Sequence, residues 1–135
     1  MQNSFNTCTP LVAYTSAAGA CAQSDANLLK LWVSKIPMEI DIFAEEIDPL
    51  AKERPLWSAL LMEVERGRIK TLVVPSLFHI AGADVVVLAK VLTFLKANRV
   101  TLKTLTELVD SRRDSKSDIL LKFIESTNPT TQGCA

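Results

Sequence analysis

Residues 69–98 constrain this chain more than any other stretch: a β-branched run, a proline, a punctuated turn and a long apolar segment follow in order. Ile69-Lys70-Thr71-Leu72-Val73-Val74 has the composition of a buried strand. Pro75 ends it, because proline brings no N–H to a sheet ladder. Residues 76–82 read as a turn. Residues 83–98 predict a helix whose buried stripe is Val85, Leu88, Val91, Leu92 and Leu95, widened by Val86, Val87 and Phe94. A helix so apolar must be covered on more than one side, by sheet or by a partner subunit. In an open α/β sheet the loop leaving the carboxyl end of a strand is where chemistry gathers. Here that loop holds Ser76 and His79 but no carboxylate and no arginine.

The rest of the chain repeats the alternation. Residues 11–15 predict a first strand, followed by the small-residue loop 16–21. Ser24 and Asp25 suit the cap of a helix over residues 26–36, with Leu28, Leu29, Trp32 and Val33 as its apolar stripe. Residues 39–44 alternate polar and apolar, as a half-buried second strand does. An acidic loop over 45–53 leads to Pro55, which suits the first turn of a helix that Gly67 closes. Residues 100–105 predict a fourth strand. Residues 111–114 form a charged turn, and Ser115 or Ser117 caps a last helix through Ile119, Leu120, Phe123 and Ile124. Strand alternating with helix means βαβ units. The expectation is a three-layer α/β domain over residues 11–127, with a mostly parallel sheet of four or five strands. Residues 1–10 and 128–135 read as flexible tails.

Composition narrows the function. Fifteen acidic and fifteen basic residues cancel, so there is no general pull toward nucleic acid or an anionic membrane. No apolar run is long enough to span a bilayer, and residues 1–10 lack the basic and apolar regions of a signal peptide. The expected location is the cytoplasm. Cys8, Cys21 and Cys134 stand far apart and His79 is the one histidine, so neither a zinc pattern nor a disulfide framework is expected. No cofactor is implied.

Residues 54–74, RPLWSALLMEVERGRIKTLVV, resemble the catalytic domain of the serine recombinases, the resolvase/invertase family. That family has an Arg-Pro or Arg-acidic start, a helix ending in glycine, a valine-rich strand and a Leu-Asp-Arg-Leu-x-Arg loop. Tyr14 is similar to the tyrosine of the first-strand motif Tyr-x-Arg-x-Ser, and Phe43 with Glu45 to the end of the second strand. The resemblance covers about residues 11–123. It implies a reaction in which a serine hydroxyl attacks a DNA phosphodiester while arginines hold the phosphate. The departures fall on that chemistry. Ser16 occupies the motif's arginine place and Ala18 the nucleophile's; Phe78, His79, Ile80 and Gly82 replace Asp, Arg, Leu and Arg in the later loop. Of the residues implied around the phosphate, only Arg54 remains. Oxyanion-type donors are each worth about 3–4 kcal/mol of barrier, so their joint loss predicts a pseudo-enzyme without catalytic residues.

The remaining candidates each carry a structural alternative. Arg54, Ser16 and His79 are the residues left to hold an anion. Arg54 can instead pair with Glu53 or Glu45, and His79 can be a solvent-facing or hydrogen-bonded loop residue. Ser16 as a displaced nucleophile has no base or arginine clamp beside it in the sequence. Glu45, Glu46, Asp48 and Glu53 are an acidic cluster expected to be solvated, with no metal site. Arg66, Arg68, Lys70, Lys103, Arg112 and Arg113 are spread over several elements and read as surface charge. Family members continue into a long dimerising helix and a helix-turn-helix domain; no such groove-reading element is visible here. The apolar helix over 83–98, with Ile119, Leu120 and Phe123, is a candidate subunit interface. The leading expectation is an inactive domain acting by protein association, as a homodimer or a regulatory partner. The alternatives are a DNA-binding accessory or inhibitor of recombination, and a small-molecule binding domain reusing the emptied pocket near Arg54 and His79.

Overall fold

A computed structural model describes residues 11–16, 20–36, 40–49 and 51–126. Four strands, β1 (Leu11–Ser16), β2 (Asp41–Glu45), β3 (Thr71–Val74) and β4 (Thr101–Thr104), form one sheet in the order β2-β1-β3-β4. Every pairing is parallel: Val12 lies opposite both Asp41 and Leu72, and Leu72 opposite Leu102. Five helices join them: α1 (Ala20–Ser34), α2 (Pro55–Glu65), α3 (Phe78–Ala81), α4 (Val85–Ala97) and α5 (Lys116–Ser126).

Handedness places the helices. The step from β1 to β2 runs one way along the sheet, whereas β2 to β3 and β3 to β4 run the other way. Right-handed crossovers then put α1 on one face and α2 and α4 on the opposite face. The side chains agree. Val12, Tyr14, Leu72, Val74 and Leu102 share a core with Trp57 and Leu60 of α2, Leu88 of α4 and Phe123 of α5. Ala13 and Val73, one residue out of step, pack with Leu29, Trp32 and Val33 of α1. The result is the expected three-layer α/β sandwich, with four strands.

Most of the apolar excess of α4 is consumed within the chain, but Val85 and Val86, expected on its buried face, are 37% and 58% exposed because they lie in the first turn of the helix, beyond the reach of the core. Leu88, Leu92 and Leu95 are buried, and Val87, Val91 and Phe94 pack partly buried against the core. Ile119 and Phe123 are each 1% exposed, so they cannot form the subunit surface expected of them; α5 covers α4 instead. The apolar groups left outside on α5 are Leu121 and Ile124. Edge strand β4 is covered by the chain that follows. Ser111 N–H donates to Leu102 O (2.9 Å), Leu102 N–H to Ser111 Oγ (2.7 Å) and Thr104 N–H to Val109 O (3.0 Å). That leaves little backbone on this side for a stray strand to pair with.

Several boundaries differ from expectation. Helix α1 starts at Ala20 rather than residue 26, so Ser24 and Asp25 lie inside it and do not cap it; alanine-rich sequence extends the helix toward β1. The turn over 76–82 contains α3. Ser115 does serve the start of α5, accepting the Asp118 N–H at 3.1 Å. Glu63 of α2 is 4% exposed and takes Arg66 (2.8 Å) and Arg68 (2.9 Å), whose own side chains stay at the surface, as the basic set was read. Residues 1–10 and 128–135, read as tails, lie outside the described residues. No helix among the described residues is long and apolar enough to cross a membrane.

Candidate functional site

The carboxyl ends of β1, β2 and β3 bring together Ser16, Glu45 and the loop carrying α3. Parallel strands deliver their last residues to the same edge of the sheet. Asp25 arrives from α1, Arg54 from the residue preceding α2, and Tyr14 from within β1.

Glu45 is the anchor. It is 7% exposed and accepts the Leu56 N–H at 2.9 Å and the Trp57 N–H at 3.0 Å. These are first-turn donors of α2 that the helix itself cannot use. A carboxylate there also meets the positive end of the helix dipole. The Tyr14 hydroxyl donates to the same carboxylate and accepts from Arg54 Nη2 at 3.1 Å. Burial, reinforced by the bond to Glu45, pushes the Tyr14 phenol up to about 12.

Arg54 is 7% exposed and turned inward. Its Nη1 donates to Pro49 O and Ile80 O, both at 2.9 Å, and its Nη2 to His79 O at 2.7 Å as well as to Tyr14. The guanidinium lies 4.8 Å from the Trp57 ring centroid and 5.5 Å from that of Tyr14, a cation–π contact within a desolvated site. Nε is buried without a partner. Arg54 therefore makes neither the Glu45 nor the Glu53 pair expected of it; it reaches Glu45 through the Tyr14 hydroxyl. All four Nη donations end on the protein's own oxygens.

His79 is fully buried. Ser16 N–H donates to its Nδ1 at 2.8 Å, so Nδ1 must be the unprotonated nitrogen. Nε2 then carries the hydrogen and donates to Asp25 Oδ2 at 2.6 Å. Of the two expectations for this residue, the hydrogen-bonded one holds. Asp25 was missed because it stands far from the loop in sequence. A signal existed: Asp25, Leu29 and Trp32 are spaced i, i+4, i+7, which puts an acid on the apolar stripe of α1.

Ser16 is also fully buried, and its hydroxyl donates to Ile47 O at 2.9 Å. Serine, histidine and aspartate thus meet, but the histidine holds the serine's backbone rather than its hydroxyl, so this is not a nucleophile–base pair. Phe78 opens α3, 42% exposed, its ring edge-on to His79 at 6.3 Å. Gly82 ends α3 at φ 57°, ψ −127°, a conformation open essentially to glycine. A larger side chain such as the arginine implied at this place would not fit this backbone. Ala18 lies outside the described residues. Among the acidic residues of the loop, Glu45 is buried while Glu46, Asp48 and Glu53 are exposed. The described residues hold no group of three or more His, Cys, Asp or Glu able to bind a metal ion. Ser16, His79 and Arg54, the residues expected to hold an anion, are each tied to the protein instead.

A family profile described as the resolvase N-terminal domain matches residues 17–129. The chain belongs to the resolvase N-terminal domain family. Solved structures agree with this family at the level of fold. The N-terminal catalytic domain of TP901-1 integrase is 16% identical with a TM-score of 0.67, covering 84% of this chain and 89% of that one. A resolvase family site-specific recombinase from Streptococcus pneumoniae is 15% identical with a TM-score of 0.64, covering 83% and 81%. The C-terminal catalytic domain of ISC1926 TnpA, an IS607-like serine recombinase, is 10% identical with a TM-score of 0.57, covering 70% and 68%. Among curated protein sequences there is no match.

Proposed function

We propose that this resolvase-family domain does not cleave DNA and acts in the cytoplasm by associating with protein, as a homodimer or as the regulatory partner of another chain. One observation carries the reading: Arg54, the cation that remains at the carboxyl-end site, spends its Nη donors on Pro49, His79, Ile80 and Tyr14. Phosphodiester attack builds charge on phosphate oxygens, which guanidinium groups must meet. Alanine at position 18 offers no nucleophile, and the Ser16 hydroxyl is turned to Ile47 O. For association, α5 offers Leu121 and Ile124, three residues apart on its outer face and 59% and 53% exposed.

Incubation with supercoiled plasmid, followed by denaturing electrophoresis, tests the chemistry. The expected result is no relaxation and no covalent protein–DNA adduct; an adduct abolished by Ser16→Ala would overturn the reading. Sedimentation over a concentration range tests association: a dimer or larger species is expected, and a monomer throughout refutes self-association. Gel mobility with duplex DNA over a salt series separates this role from that of a DNA-binding accessory, which would show a steep salt slope.

A further inference from the structure

Away from the carboxyl-end site, α4, α5, the start of β4 and the turn after it line a half-open groove of about 470 Å3. Its rim carries Lys96, Arg99, Arg112, Arg113 and Lys116 against one carboxylate, Asp114, in a chain whose charges as a whole cancel. Asp114 is already engaged by Arg113 (3.2 Å), Lys122 (3.7 Å) and the Asp110 N–H (3.1 Å). Arg112 is only loosely met by Asp110, at 3.9 Å. Lys116 donates to the Thr93 hydroxyl. Among the described residues neither Lys96 nor Arg99 pairs with a carboxylate. The floor is aliphatic, from Leu92, Leu95, Val100, Leu102 and Ile119, and Thr101, Ser111 and Ser115 add hydroxyls to the wall.

Arg99 is held there at a conformational cost. Helix α4 closes with Arg99 N–H on Lys96 O and Val100 N–H on Leu95 O, which puts Arg99 at φ +59°. Helix α2 closes in the same way, with Gly67 N–H on Val64 O and Arg68 N–H on Glu63 O, and there the left-handed residue is glycine at φ +76°. Two helix ends with one bonding pattern thus differ in their left-handed residue. The arginine accepts strain that glycine avoids, and the residue lines the groove.

We propose that this groove binds a small phosphate ester or polyphosphate of about mononucleotide size, its phosphates on the basic rim and its remaining part on the aliphatic floor. The volume lies in the range of small-ligand pockets. Guanidinium groups beside hydroxyls match the several acceptor oxygens of a phosphate. The occupant is a compact ligand rather than duplex DNA, whose phosphates lie along a convex rod and do not reach the aliphatic floor of a groove this small.

Isothermal titration and thermal denaturation of the full chain with ADP and with pyrophosphate test this, with short duplex DNA as the competing arm. ADP and pyrophosphate are expected to bind and to raise the melting temperature. Arg99→Gly is expected to weaken binding about tenfold or more while raising the melting temperature of the unliganded protein, since glycine relieves the left-handed strain. That opposition would not arise if Arg99 were there only for the fold. Lys96→Ala is expected to weaken binding, and Lys90→Ala, an equal charge change outside the groove, to leave it unchanged. Failure of both small ligands to bind, binding confined to duplex DNA, an equal loss in Lys90→Ala, or full affinity in Arg99→Gly would each overturn the proposal.

Discussion

Tyr14 is the one tyrosine in the chain, which makes its bridge between Glu45 and Arg54 directly observable. Its folded phenol titrates at about 12 against an ordinary value of 10.0. The unfolded chain loses this proton first, so the stabilisation is complete below pH 10 and is lost as pH rises from 10 toward 12. A shift of this size corresponds to about 2–3 kcal/mol. Tyrosinate absorbance is expected to stay low at pH 11 in the folded protein and to appear together with unfolding; titration near 10 in the folded protein would refute the bridge. The His79 lock makes a second prediction. His79→Leu strands the Ser16 N–H and the Asp25 carboxylate, a cost of about 1–3 kcal/mol by urea unfolding. Asp25→Asn, which keeps an acceptor for Nε2–H, is expected to cost less.

At the scale of elements, helix ends rather than helix faces hold the informative residues. Asp84 caps α4 by accepting the N–H groups of Val86 (2.9 Å) and Val87 (3.1 Å). Asp84→Ala is expected to lower stability by about 1 kcal/mol, read as a shift in urea midpoint at unchanged slope. Gly67 closes α2, and nothing lies within 4 Å of where its Cβ would be. Gly67→Ala therefore meets no clash, and its expected cost of about 1 kcal/mol comes from the positive φ alone. The faces of these helices were readable from 3.6-residue periodicity. Their starts were less so: α1 runs six residues past its expected beginning, because alanine favours helix over the loop that Ser24 and Asp25 suggested.

At the scale of the molecule, α5 has two faces with different duties. Phe123 is 1% exposed in the core, while Leu121 is 59% exposed. Phe123→Ala is expected to cost about 3–5 kcal/mol of stability. Leu121→Asp is expected to leave the urea midpoint nearly unchanged and to lower the sedimenting mass at a given concentration. If Leu121→Asp unfolds the protein instead, this face belongs to the core and the proposed association surface is misplaced.

The sequence by itself determined the alternation of strands and helices, the parallel sheet, the sorting of apolar residues to buried faces and the membership of a resolvase-like fold. All of these follow from local periodicity and from short motifs that survive within single segments. What His79 touches was decided only by tertiary structure, because Asp25 and Ser16 come from other elements. The same holds for Arg54, whose acceptors are carbonyls at positions 49, 79 and 80; backbone oxygens leave no trace in residue type. The basic groove is likewise a product of folding. Its residues come from two segments, 92–102 and 111–119, which look like scattered surface charge until α5 packs on α4.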